Sequence, residues 1–256
     1  MPINMLGLGY ILGSIVATVG ALWVARRTLS MERLKRSHDL TVFCGTIAGT
    51  IYAVILAFIL FAAWNDFTSA QTVVTDETVA LANLAYVGRG LPVAIRGPFE
   101  ADTIEYARLV INDEWPQMAN GGSSHRVRRV LMDMGLLVLK ARSEPDADTL
   151  VLDHTITGLA QLQAMRQTRL LQSQSALPAI LWLVLIAGAV VTLVFSLLIA
   201  TGDFAMHAVH TVLLAALLAL VLVAIQDIKS PFQGVVHVDA SEMQKTLRAL
   251  EQPPQP

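Results

Sequence analysis

Cysteine is almost missing from this chain: Cys44 stands alone among 256 residues. One thiol excludes an internal disulfide and any cluster of cysteine ligands. Charge is also scarce. Only 15% of residues are Asp, Glu, Lys or Arg, against about 25% in an average soluble domain. A formal net charge of −2 supplies no broad positive field, so nucleic acid is not an expected partner. The chain carries no Gly-rich phosphate loop, no nucleophile elbow and no zinc-protease helix motif. The expectation is therefore a protein that is not an enzyme and holds no cofactor. No stretch alternates apolar and polar residues over a strand length, so an all-α chain is expected.

Apolar residues fill the space that charge leaves. They make up 54% of the chain, with a mean hydropathy of +0.57. One water-soluble core cannot hide that much, so the surplus must face membrane lipid. A spanning helix needs about 20 mostly apolar residues. Four stretches satisfy this: 6–25, 40–64, 176–200 and 204–225. No basic segment precedes the first and no small-residue cleavage site closes it, so it reads as a retained helix and not a signal peptide. Trp23, Trp64 and Trp182 stand near span ends, where amphipathic rings prefer to sit. Pro178 opens the third span and Asp203 is placed to cap the fourth. Only Thr201-Gly202 separates those two, which demands a tight antiparallel hairpin. The expected layout is a hairpin over 1–65, a soluble helical domain over 66–175, a second hairpin over 176–226 and a tail over 227–256. The closing QPPQP reads as a short unstructured end.

Spans one and two share a pattern. Gly9, Gly13, Ala17 and Ala21 recur every fourth residue, and Gly45, Gly49, Ala53 and Ala57 do the same. Each set makes a groove that lets another helix approach closely. Either the two grooves face each other within one hairpin, or a groove packs against a second copy.

The second span reads as continuing beyond Trp64. Phe67, Ala70, Val74, Glu77, Leu81 and Leu84 alternate steps of three and four, a heptad seam. Gly88, Gly90 and Pro92 end it. Pro98 is expected to start a second helix, with Thr103, Tyr106 and Val110 on one face and Pro116 closing it. Asn120-Gly121-Gly122 forms a turn, Ser123 or Ser124 caps a third helix, and Pro145-Asp146 open a fourth that runs to about Ser175.

Glu77 breaks the seam's apolar pattern. A carboxylate there is costly unless it is paired or protonated. It faces water in a vestibule, pairs with Arg166 or Arg169, or contributes to an ion path in an oligomer. Arg166 and Arg169 share a helix face. They either snorkel to lipid phosphates or pair with Glu77 or with Asp113-Glu114. The nearest approach to a metal pattern is Asp203, His207 and His210, whose steps of four and three put one carboxylate and two imidazoles on one face. The competing reading is a helix cap with two histidines at the membrane interface.

The order of short motifs is distinctive. YAVILAFILFAAW over 52–64 leads into Asp76-Glu77, Leu81 and Leu84. Glu114-Trp115-Pro116 follows, then Arg166 and Arg169 ahead of Leu177-Pro178 and Trp182. Asp227, Pro231-Phe232, Gly234 and VVHVDAS close the set. In this order the chain resembles the bestrophin-like family of bacterial membrane proteins, formally a domain of unknown function. The likeness covers about residues 38 to 250. One departure is the tail, where Ile228-Lys229-Ser230 separate Asp227 from Pro-Phe and the family usually has one residue. Bestrophins are pentameric ion channels with four spans. The resemblance implies a homo-oligomer, by analogy a pentamer, that passes inorganic ions across the bacterial cell (inner) membrane. Span two would line the pore, with Ile55, Phe58 and Ile59 at a constriction and Glu77 further along the path. A competing function is a membrane-anchored module whose seam binds a partner helix. The loop after span one, with Arg26, Arg27, Arg33, Lys35 and Arg36, is cytoplasmic by the positive-inside rule. The resemblance implies the reverse orientation.

Overall fold

The computed structural model describes residues 5–119, 121–174 and 177–252. Asn120 of the expected turn, the Ser175-Ala176 junction and the last four residues lie outside them. Helices dominate and no strand occurs among the described residues. In order they are α1 (Met5–Thr28), α2 (Met31–Arg36), α3 (His38–Gly88) and α4 (Val93–Leu109). A π-helical turn (Val110–Glu114) leads into α5 (Trp115–Met118). Then follow α6 (His125–Ala141), α7 (Thr149–Ser173), α8 (Ala179–Leu198), α9 (Phe204–Ile228) and α10 (Ser241–Glu251). Among the described residues four helices, α1, α3, α8 and α9, are long and apolar enough to cross a membrane. The chain is an all-helical membrane protein.

Its contacts sort into two compact units. One holds residues up to Asn65 with α8 and α9; the other holds Asp66 through α7 with Pro231–Gln233 and the segment from His237. The boundary falls inside α3, which runs unbroken for 51 residues.

In the membrane unit, α1 packs on α9 and α8. Its buried stripe is Gly7, Thr18 and Leu22. This overturns the arrangement in which the two small-residue grooves face each other. Gly9, Gly13, Ala17 and Ala21 lie on the exposed side of α1. On α3, Ala53 and Ala57 are also exposed, while Gly45 takes Phe195 of α8 against it. A close approach of α3 and α8 uses a glycine outside either groove. A Cβ on Gly188 would sit 2.2 Å from the Tyr52 ring, and the Tyr52 hydroxyl donates to the Leu185 carbonyl at 2.9 Å. Asp203 caps α9, accepting from the N–H groups of Ala205 and Met206 at 2.8 and 3.2 Å.

In the second unit two prolines do not act as boundaries. Pro98 lies inside α4, which begins five residues earlier, directly after Pro92. Pro92 holds φ at −47°, which prepares the first turn, and Val93 donates its N–H to Asp146 at 3.3 Å. Pro116 does not end the helix either: the backbone widens into the π turn and continues as α5. Proline lacks the N–H that would complete the ladder, and a π turn is a common way to absorb such a defect. The fourth helix begins at Thr149, later than Pro145-Asp146, because Asp148 caps it through the Leu150 N–H at 2.8 Å. The region expected as a tail carries α10, whose Met243 is fully buried in the core of the second unit, with Leu247 and Leu250 packed against that core.

Candidate functional site

Two places carry the residues singled out by the sequence. The first is a buried ion cluster in the second unit. The seam on α3 is filled by its own chain: Phe67, Ala70, Val74, Glu77, Leu81 and Leu84 are all buried. Glu77 therefore does not face a water-filled vestibule, and the seam is not a free docking face for a partner helix.

Arg169 of α7 reaches Glu77 through Nε at 2.5 Å and Nη2 at 3.0 Å. The same Nη2 donates to Glu114 Oε2 at 2.8 Å. Arg166, one turn earlier, forms a two-pronged pair with Glu114 through Nε, at 3.0 Å, and Nη2. Glu77, Glu114 and Arg169 are fully buried and Arg166 is 5% exposed. Both arginines thus sit inside protein, away from lipid phosphates. Two carboxylates against two guanidiniums leave the cluster neutral, which such burial requires.

Neutral groups complete the shell. The Tyr106 hydroxyl donates to Glu77 Oε1 at 2.7 Å. The Ser124 N–H donates to Glu114 Oε1 at 3.0 Å, and the Ser124 hydroxyl bonds Asp113. Ser124 also caps α6 through the N–H groups of Arg126 and Val127. The Trp115 ring lies 5.3 Å from the Arg169 guanidinium and packs edge-on against Phe232 at 5.7 Å. The π turn sets Asp113 and Glu114 toward this cluster where α4 alone would rotate past it.

The electrostatics follow from these contacts. Burial pushes the Glu114 carboxyl up, but the Arg166 hydrogen bond and the charges of Arg169 and Arg166 outweigh it and hold the group below the usual carboxylate range. Burial and the Glu77 charge raise the Tyr106 phenol well above its ordinary value. Burial alone would lower the Arg169 guanidinium, yet Glu77 overcomes it and raises the group. Each shift favours the form that the surrounding contacts stabilise. The cluster clamps α3, the π turn and α7 together. Tyr106 and Ser124 join it without having been singled out. The signal for Ser124 is its place ahead of α6; Tyr106 shows only as one residue of an apolar helix face.

The second place is the wall of α3 in the membrane unit. Ile59 is buried against Leu185 and Ile225, and Ile55 packs beside it. Phe58 lies on another face and is 70% exposed. It belongs to a stripe of exposed apolar residues, Ile47, Ile51, Val54, Phe58 and Phe61, spaced four, three, four and three apart.

The metal candidate does not assemble. Among the described residues no three His, Cys, Asp or Glu side chains converge on a possible ion. Asp203 is committed to its cap. His207 is buried and held at both nitrogens: Nδ1 lies 3.0 Å from Arg26 Nη2, and Nε2 lies 2.9 Å from the Ser196 carbonyl. A guanidinium only donates and a carbonyl only accepts, so Nδ1 is the acceptor and Nε2 carries the proton. His210 is exposed and bonds the Met206 carbonyl. The pair joins α1 to α9, with Arg26 also donating to Thr201 at 3.0 Å.

No curated protein matches the chain. Among solved structures it is similar to a bacterial bestrophin homologue from Klebsiella pneumoniae, with a TM-score of 0.73 at 15% identity over 94% of this chain and 97% of that one. Two point variants of that homologue match with TM-scores of 0.73 and 0.75 at 14% identity, each over 94% of this chain and over 99% and 97% of theirs. At such identity the likeness is one of fold. A family model described as a Bestrophin-like domain matches residues 12–243, nearly the whole length, and the chain therefore belongs to the Bestrophin-like family.

Proposed function

We propose that this protein is a homo-oligomeric ion channel of the bacterial cell membrane, with α3 lining the path. The observation that carries this reading is the apolar stripe from Ile47 to Phe61 on α3, exposed on a helix whose other face is anchored by Tyr52 and Ile59. A helix that must line a shared lumen needs one face held by its own protomer and one left for the axis. A narrow ring of apolar side chains there would gate ions by dewetting. Membership of the Bestrophin-like family and the fold of the Klebsiella pneumoniae homologue support the same reading.

The residues then divide by role. Phe58 stands at the constriction. Ile55 and Ile59 back it by packing against α8 and α9. Glu77 fixes the extension of α3 through Arg169 and does not itself touch the permeating ion. Which ion passes is left to the flux measurement. Purified protein should run as a defined oligomer by light scattering in detergent, and liposomes containing it should release a trapped salt. A monomer that passes no ion would refute the proposal.

A further inference from the structure

A cavity of about 310 Å³ opens between α6 and α7 in the second unit. Its lining is Arg128, Leu131 and Met132 from α6 with Gln163, Arg166 and Gln167 from α7. Each helix contributes positions i, i+3 and i+4, so two matched faces close on the space. No carboxylate is among these six residues.

Arg166 makes this more than a surface dent. Its Nε and Nη2 are taken by Glu114 and the Ser124 carbonyl. Its Nη1 has no partner among the described residues, and it is not sealed off in the interior. Arg166 is 5% exposed as a residue, and a guanidinium that keeps a donor free at a cavity wall is set up to receive an acceptor. Arg128 carries a second guanidinium with no carboxylate in ion-pair range among the described residues. Gln163 and Gln167 add carboxamide donors, and Leu131 and Met132 give an apolar wall. Pockets of this volume with a few converging polar groups on apolar walls suit small molecules, and guanidiniums favour oxyanions held by two prongs.

We propose that this cavity binds a small organic anion, its carboxylate or phosphate held by Arg128 and Arg166 and its short apolar body against Leu131 and Met132. The proposal does not rest on the channel reading.

The test is calorimetric titration of the full chain in a neutral detergent with monobutyl phosphate, beside inorganic phosphate and butanol. Saturable binding of monobutyl phosphate is expected, weaker binding of inorganic phosphate and none of butanol. Arg128→Gln should weaken monobutyl phosphate about tenfold, the range of one charge-assisted bond. Gln167→Glu should weaken it further by adding a like charge. Both positions are exposed, and unchanged melting temperatures would show that each variant folds. Absence of saturation, equal binding of butanol or of inorganic phosphate, or full affinity in both variants would overturn the proposal. Because the readout is heat of binding, a failed flux assay leaves it unaffected.

Discussion

The two units solve the burial of polar groups in opposite ways. Among the described residues the membrane unit buries the polar side chains Thr18, Thr211 and His207, and it is held by close contact such as Tyr52 on Gly188. The second unit encloses two carboxylates and two guanidiniums paired in one cluster, Glu77, Glu114, Arg166 and Arg169. Lipid gives no hydrophobic drive for helix association, so fit between surfaces has to supply it. The second unit fills its core with apolar residues. Its charges add direction: each fork accepts one carboxylate geometry, which sets the register of α7 against α3 and the π turn.

The comparison breaks most sharply at Glu77. Glu77→Gln leaves Arg169 short of one charge partner inside protein, and a loss of about 3–5 kcal/mol in the second unit is expected. Denaturant unfolding followed by circular dichroism reads it. Replacing Glu77 and Arg169 together by Met should cost less than the sum of the single changes, because Arg166 still balances Glu114. Additivity would show that the pair is not coupled.

The matching change in the membrane unit is Gly188→Ala. The new methyl meets the Tyr52 ring at 2.2 Å, so α3 and α8 must part, at about 1–3 kcal/mol. Thermal melting in detergent should fall, and Tyr52→Ala introduced beside it should restore part of the loss. The same methyl at Gly49 meets nothing within 4 Å and should leave melting unchanged in a monomer. A large drop at Gly49 would show that a second chain covers this groove.

A smaller effect depends on pH. The Glu114 carboxyl lies below its ordinary value in the folded chain. Its contribution is complete above the unfolded carboxylate value of about 4.3 and is lost as pH falls through the lowered folded value. Melting of the second unit should therefore drop on acidification below that range. The least effect is expected at Arg108, whose pair with Glu251 is exposed on both sides. Arg108→Ala should cost less than about 1 kcal/mol, visible only as looser protection of α10 in hydrogen exchange.

Much of this architecture is legible before any coordinates. Runs of 20 or more apolar residues mark the four spans because lipid permits few alternatives. The seam from Phe67 to Leu84 and the Asp203 cap are visible because helix periodicity and capping are local. What stays hidden depends on contacts far apart in the chain. Nothing near Glu77 says that its partner is Arg169 and not solvent, and nothing near Glu114 says that a π turn aims it inward. Prolines mislead for the same reason: Pro98 and Pro116 sit where tertiary contacts keep a helix going past a local defect. The Asp203, His207 and His210 spacing fails as a metal site because Arg26, distant in sequence, takes one imidazole nitrogen. The helix α10 had a usable signal in Met243, Leu247 and Leu250, obscured by the Pro-rich end beside it.

The division of α3 into a held face and a free face is the claim on which the function turns. Single-channel conductance in planar bilayers, compared between Phe58→Ala and Ile59→Ala, tests it directly. The account predicts that Phe58→Ala raises conductance at unchanged melting temperature, while Ile59→Ala lowers the melting temperature at unchanged conductance. Unaltered conductance in Phe58→Ala, with altered conductance in Ile59→Ala, would contradict it.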